Sequence, residues 1–163
     1  MQVPGRRNRV LLVMIAAVAA LLLLGGCASE TVAVQQKDDQ ALTLPTSVKK
    51  YELGGVEYSV TWQNPTRSTA EPIKFTVQMD THSGSLEDYD LGKASTLAND
   101  SGQQVRASQW DSPGGGHHGT GKLYFSPTDS SGKPLITADT KYVVWSISGL
   151  PGASEKKIQW EIR

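Results

Sequence analysis

The chain begins with an unbroken apolar run and later switches to short alternating stretches. Val10–Leu24, VLLVMIAAVAALLLL, contains 15 residues and no polar side chain. That is shorter than the ~20 residues a membrane-crossing helix needs, and it fits the hydrophobic stretch of an export signal. Residues 28–47, ASETVAVQQKDDQALTLPTS, are mostly polar and keep no sustained period. They read as a flexible tether. From about Val48, apolar residues recur at every second position. Val56, Tyr58, Val60 and Trp62 share one face of a strand, as do Ile73, Phe75, Val77 and Met79. Further strands are expected at Ala94–Ala98, Gln103–Trp110, Gly121–Phe125, Lys141–Ile147 and Ile158–Ile162.

Turn residues punctuate these stretches: Asn64-Pro65, Asn99-Asp100-Ser101-Gly102, Asp129-Ser130-Ser131-Gly132 and Gly149-Leu150-Pro151-Gly152. No segment after the tether holds a long helical period. The expected fold is therefore all-β, a single immunoglobulin-like antiparallel β-sandwich of about seven strands. Residues 1–26 form a signal peptide, 27–47 the tether and 48–163 the sandwich. Trp62, Phe75, Phe125, Trp145 and Trp160 lie in the inward phase of their strands and are assigned to the core.

Charge and cysteine content narrow the function classes. Of 16 Lys and Arg residues, Arg6, Arg7 and Arg9 precede the apolar run, and no acid appears before Glu30. Residues 27–163 thus carry 13 basic against 16 acidic side chains, a net of −3. That balance gives no electrostatic basis for binding nucleic acid. Cys27 is the only cysteine, so no internal disulfide forms, and stability must come from an ordinary hydrophobic core.

Leu24-Gly25-Gly26-Cys27 closes the apolar run: an aliphatic residue, two small residues, then cysteine. The segment resembles the lipobox of bacterial lipoproteins. That resemblance implies a diacylglyceryl group on the Cys27 thiol, cleavage just before it, and acylation of the new amine. At ~0.8 kcal/mol per buried methylene, two or three chains hold a protein on a membrane. The implied location is extracytoplasmic, with the membrane bound through the lipid. Ala28, rather than aspartate, follows the cysteine. In a Gram-negative host this is compatible with the outer membrane.

Two loops break the strand pattern. Asp80–Leu91 carries His82 and the acids Asp80, Glu87, Asp88 and Asp90, and Trp110–Gly119 carries Asp111, His117 and His118. These loops contain all three histidines of the chain. Imidazole and carboxylate ligands suit copper(II) and zinc, so His82, His117, His118, Asp88 and Asp90 are candidate metal ligands. Equally, the histidines can serve the fold by hydrogen-bonding loop carbonyls or carboxylates. Thr81-His82-Ser83 can close the strand before it as a polar corner, and Asp88 and Asp90 can fix the turn.

From Phe75 to Trp160 the chain resembles a family of small exported bacterial domains. The shared pattern is Thr81-His82-Ser83, Asp90-Leu91, Trp110, Gly115-Gly116-His117-His118 and Gly121-Lys122-Leu123-Tyr124-Phe125. The resemblance implies that the two loops belong together.

Two functions follow as expectations. One is a membrane-anchored binding module that takes copper or zinc in the His/Asp loops. The other is a structural or adaptor domain for an envelope protein partner, with the histidines stabilising the loops. An enzyme is not expected: the chain has no nucleophile elbow, phosphate loop or redox cysteine pair. A metal-dependent hydrolase would need an open coordination position, and no substrate-binding signature accompanies the histidines.

Overall fold

A computed structural model describes residues 41–44 and 48–162. The signal run and Cys27 lie outside the described residues. Eight strands follow one another: β1 (Val48–Leu53), β2 (Val56–Trp62), β3 (Ile73–Thr81), β4 (Ser95–Asn99), β5 (Gln104–Asp111), β6 (His118–Phe125), β7 (Tyr142–Ile147) and β8 (Lys156–Glu161). A 3-10 turn at Leu86–Asp88 and a single-turn helix, α1 (Leu91–Ala94), connect β3 to β4.

The all-β expectation holds, but the architecture differs from a sandwich of about seven strands. The strands form one antiparallel sheet in the order β1-β2-β3-β6-β5-β4-β7-β8, nearly closed into a barrel. Two physical features account for the difference. First, β5 pairs with both β6 and β4, so the sheet curls continuously where a sandwich would split. Second, β1 is an additional strand whose sequence VKKYEL is too polar to stand out by alternation. Gly54 and Gly55 attach it to β2 as a two-residue hairpin, with φ of 61° and 75° and Leu53 opposite Val56. Such a turn needs left-handed conformations at both positions, which glycine adopts without steric cost.

The inward face follows the alternation closely. Val56, Tyr58, Val60 and Trp62 are buried, as are Ile73, Phe75, Val77 and Met79. Phe75 sits at the centre of the aromatic core, with its ring centroid 5.1 Å from Trp160, 5.4 Å from Trp62, 5.6 Å from Trp145 and 5.9 Å from Phe125. These rings come from β2, β3, β6, β7 and β8, so they bind the two halves of the curled sheet to each other. Offset and edge-on contacts of this kind add stability beyond the area they bury. Gln35–Arg163 forms one compact unit. It carries every described strand and its own core, as independent folding requires.

Strand directions define two poles. The first gathers the β2–β3, β4–β5 and β6–β7 connections, and there Leu42 N–H donates to the Pro65 carbonyl at 2.7 Å. Two turns at this pole share one design. Asn99 Oδ1 accepts from the Ser101 N–H and hydroxyl and the Gln103 N–H; Asp129 Oδ1 accepts from the Ser131 N–H and hydroxyl and the Lys133 N–H. Gln103 Nε2 donates to Asp129 Oδ2 at 3.0 Å and joins the pair. The second pole gathers the Gly54-Gly55 turn and the loops that follow β3, β5 and β7.

Candidate functional site

The two loops singled out by the sequence meet at the second pole. Thr81 N–H donates to the His117 carbonyl at 2.8 Å, and Leu86 N–H donates to the Gly116 carbonyl at 3.1 Å. Thr81 is buried, and its hydroxyl lies 2.8 Å from the Ser83 carbonyl and 3.1 Å from that of Gly55. Thr81 is thus the polar corner that ends β3. Close approach explains one glycine of the second loop, because a Cβ on Gly115 would run into the Glu87 carboxylate.

Registry then decides which side chains meet. Asp80 of β3 stands opposite His118 of β6, and Asp80 Oδ1 lies 2.6 Å from His118 Nδ1. The same cross-strand row continues from Asp80 to Glu57 of β2 and Glu52 of β1. His118 therefore ends a row of three carboxylates on the outer face of the sheet. Its side chain is 74% exposed and that of Asp80 47%, so water screens the pair.

The other candidates have different surroundings. Asp90 caps α1: its Oδ1 accepts from the Lys93 N–H at 3.2 Å, and its Oδ2 lies 2.8 Å from Lys93 Nζ. The Lys93 contact holds the Asp90 carboxyl below its usual range. The side chains of His82, His117 and Asp88 are exposed and make no hydrogen bond among the described residues. The structure thus joins the loops through backbone, while none of His82, His117, His118, Asp88 and Asp90 bonds to another through its side chain. Among the described residues, no three His, Cys, Asp or Glu side chains are grouped to hold a metal ion. Asp80, the partner of His118, was not among the candidate ligands, because a pairing across β3 and β6 depends on register.

A second feature of this pole escaped the sequence reading. Ala107 stands opposite Phe125 and Gln109 opposite Tyr124, so Ser108 is an extra residue, a β-bulge in β5. A bulge reverses the inward phase of the strand beyond it. Val105 and Ala107 face inward before it and Trp110 after it, out of period. The Trp110 ring fills the space above Gly121, where a Cβ would collide with it, and a Cβ on Gly92 would lie 2.9 Å from the Trp110 Cβ. The only trace of this in the sequence is the three-residue step from Ala107 to Trp110, where an alternating strand steps by two. Beside the half-buried Trp110 lies a cleft of about 420 Å³, lined also by Glu87, Tyr89, Asp90, Lys93, Gln109 and Ser112. No family model, curated protein or solved structure matches the chain.

Proposed function

We propose that this chain is an exported lipoprotein, anchored to the extracytoplasmic face of a membrane through acylated Cys27, whose β domain acts as a binding or adaptor module for an envelope partner. The observation that carries the reading is the coincidence of three features in the sequence. A basic segment precedes an apolar run of 15 residues, the run ends in Leu24-Gly25-Gly26-Cys27, and that cysteine is the only one in the chain. The test is to express the full chain and its Cys27→Ser variant in a bacterial host fed an alkyne-tagged palmitate, then to fractionate the cells. The wild type is expected to carry the tag and pellet with membranes, and the variant to do neither. An untagged wild type released into the soluble envelope fraction would make the chain an ordinary secreted protein.

A second reading, copper or zinc binding in the His/Asp loops, is favoured by the contact between Asp80 and His118. Carboxylates often hold one ring nitrogen of a metal-binding imidazole and leave the other to the metal. Here His118 Nδ1 is engaged and Nε2 makes no hydrogen bond among the described residues. His82, His117, Asp88 and Asp90 are the further ligands this reading draws on. Residues 35–163 would be titrated with copper(II) and zinc separately by calorimetry. Roughly one equivalent bound, and lost in the His82/His117/His118→Ala triple variant, is the expected result. A domain that binds neither ion would leave the adaptor reading alone.

A further inference from the structure

Trp110 differs from the other tryptophans. Trp62, Trp145 and Trp160 are at most 2% exposed and belong to the aromatic core. Trp110 is half-buried and lines an open cleft. Three separate features of the chain put it there. The bulge at Ser108 turns it out of period, and Gly121 and Gly92 leave the space its ring and Cβ occupy. Bulges that redirect a side chain are common beside binding sites.

The polar groups around it are matched to a hydroxyl-rich ligand. The indole N–H of Trp110 has no acceptor among the described residues. The Glu87 carboxylate has no donor there, and Gln109 uses only its Nε2, which donates to Asp111 Oδ1 at 2.7 Å. The Gln109 Oε1 and the Ser112 O–H are unspent as acceptor and donor respectively. An indole surface, with the Tyr89 ring and the Lys93 side chain also lining the cleft, flanked by a free N–H, a free O–H, an amide oxygen and carboxylates is the chemistry that recognises sugars. The apolar face of the ring packs on the indole, and the hydroxyls exchange hydrogen bonds with the rim. A mostly polar lining beside Trp110 and Tyr89 suits this better than an apolar ligand, which would need an apolar pocket.

We propose that the cleft beside Trp110 is a saccharide-binding site, with Trp110 as the stacking surface and Glu87, Gln109 and Ser112 as hydrogen-bonding partners. The site concerns residues 35–163 alone and does not depend on lipidation of Cys27 or on metal.

The test is to titrate residues 35–163 with chitotriose and, separately, cellotriose, following tryptophan emission and heat. Because the other three tryptophans are enclosed, an emission change reports on Trp110. Saturable binding of at least one trisaccharide is expected, weakened about tenfold or more by Trp110→Ala and several-fold by Glu87→Gln and Gln109→Ala. Far-UV circular dichroism of each variant checks that it folds. If Trp110→Ala fails to fold, the two rim variants decide the matter. No saturable binding of either sugar up to about 10 mM, or binding that all three substitutions leave unchanged, overturns the proposal.

Discussion

The Trp110 ring occupies the space that a side chain on residue 121 would need. A Cβ on Gly121 would collide with the ring and would sit 2.7 Å from the Asp111 carbonyl oxygen. The contact links β5 to β6 just beyond the bulge. Gly121→Ala must push the indole or the Asp111 backbone aside. Overpacking of this kind costs about 1–3 kcal/mol. Urea denaturation of the variant is expected to show a lower midpoint with an unchanged slope, accompanied by a shift in tryptophan emission. An unchanged midpoint would mean that the ring moves freely from its seat.

Tyr51 and Tyr58 stack across β1 and β2 with centroids 4.9 Å apart and planes 8° from parallel. Both hydroxyls are buried and make no hydrogen bond among the described residues. Burial pushes both phenols well above their ordinary value of 10.0. A buried hydroxyl without a partner is a cost, so Tyr58→Phe is expected to stabilise the domain by about 0.5–1 kcal/mol in thermal or urea denaturation. The pH dependence has a fixed sign. Because the folded state holds the phenols protonated, their stabilising contribution is full below pH 10 and declines as pH rises beyond it. The Tyr51→Phe/Tyr58→Phe double variant lacks that decline, so its advantage over wild type should widen at alkaline pH. A destabilised Tyr58→Phe would show that its hydroxyl has a partner, such as an ordered water.

These two relationships differ in how far they could be read from sequence. The inward faces of β2 and β3 were legible because Val56 to Trp62 and Ile73 to Met79 alternate strictly and pack on one side only. β1 was not, because a lysine, Lys49, takes the first position on the side of Tyr51 and Leu53, while the aliphatic Val48 faces out with Lys50 and Glu52. The bulge was hidden for a related reason: the expected strand Gln103–Trp110 runs straight through Ser108, and a single extra residue that turns Trp110 inward leaves no break in it. The histidine loops were legible as a pair of unusual segments. The contact between Asp80 and His118 was not, since the residues are 38 apart and meet only through the register of β3 and β6. Asp90, expected to fix the turn, caps α1 through the Lys93 N–H, a role not legible because a single-turn helix leaves no period in the pattern.

The twin turns at the first pole give a controlled comparison, one built on an amide and the other on a carboxylate. Asn99 is buried, and its Nδ2 donates to the Gln103 Oε1 and, at 2.9 Å, to the Leu135 carbonyl. Asn99→Ala strands several of these groups and is expected to cost about 2–3 kcal/mol at any pH from neutral to acid. Asp129 is held below its usual 3.8, first by the Ser131 hydroxyl and then by the Lys133 N–H. A lowered carboxyl stabilises the fold above the ordinary value, and this contribution disappears as pH falls through the folded one. The melting temperatures of wild type and Asp129→Ala should therefore differ at neutral pH and converge below pH 3.8. A gap that stays constant with pH would assign the effect to shape rather than charge.

The histidines separate metal binding from loop stability. His82 is exposed and makes no hydrogen bond among the described residues, so His82→Ala should change stability by less than about 0.5 kcal/mol. Asp80→Asn, at a screened and exposed contact, should change it by less than about 1 kcal/mol. Melting curves with and without a chelator provide the check. A large loss in either variant without metal would make these side chains props of the loops. Near-neutral variants would leave the residues free for ligand binding, and any affinity lost on substitution could be read without a folding artefact.

The first-pole contact between Leu42 and Pro65 has an orientational consequence. It fixes where the chain enters the domain, and the strands then run the length of the barrel to the opposite pole. The nine residues of β3 alone span about 30 Å at the usual strand rise. The Trp110 cleft, the Asp80 and His118 pair and both unusual loops lie at that far end. Held by its N-terminal side, the domain would present these groups outward like the head of a short stalk. With Cys27 as the anchor proposed above, lengthening or shortening residues 28–47 would then change how far that head reaches without altering its chemistry.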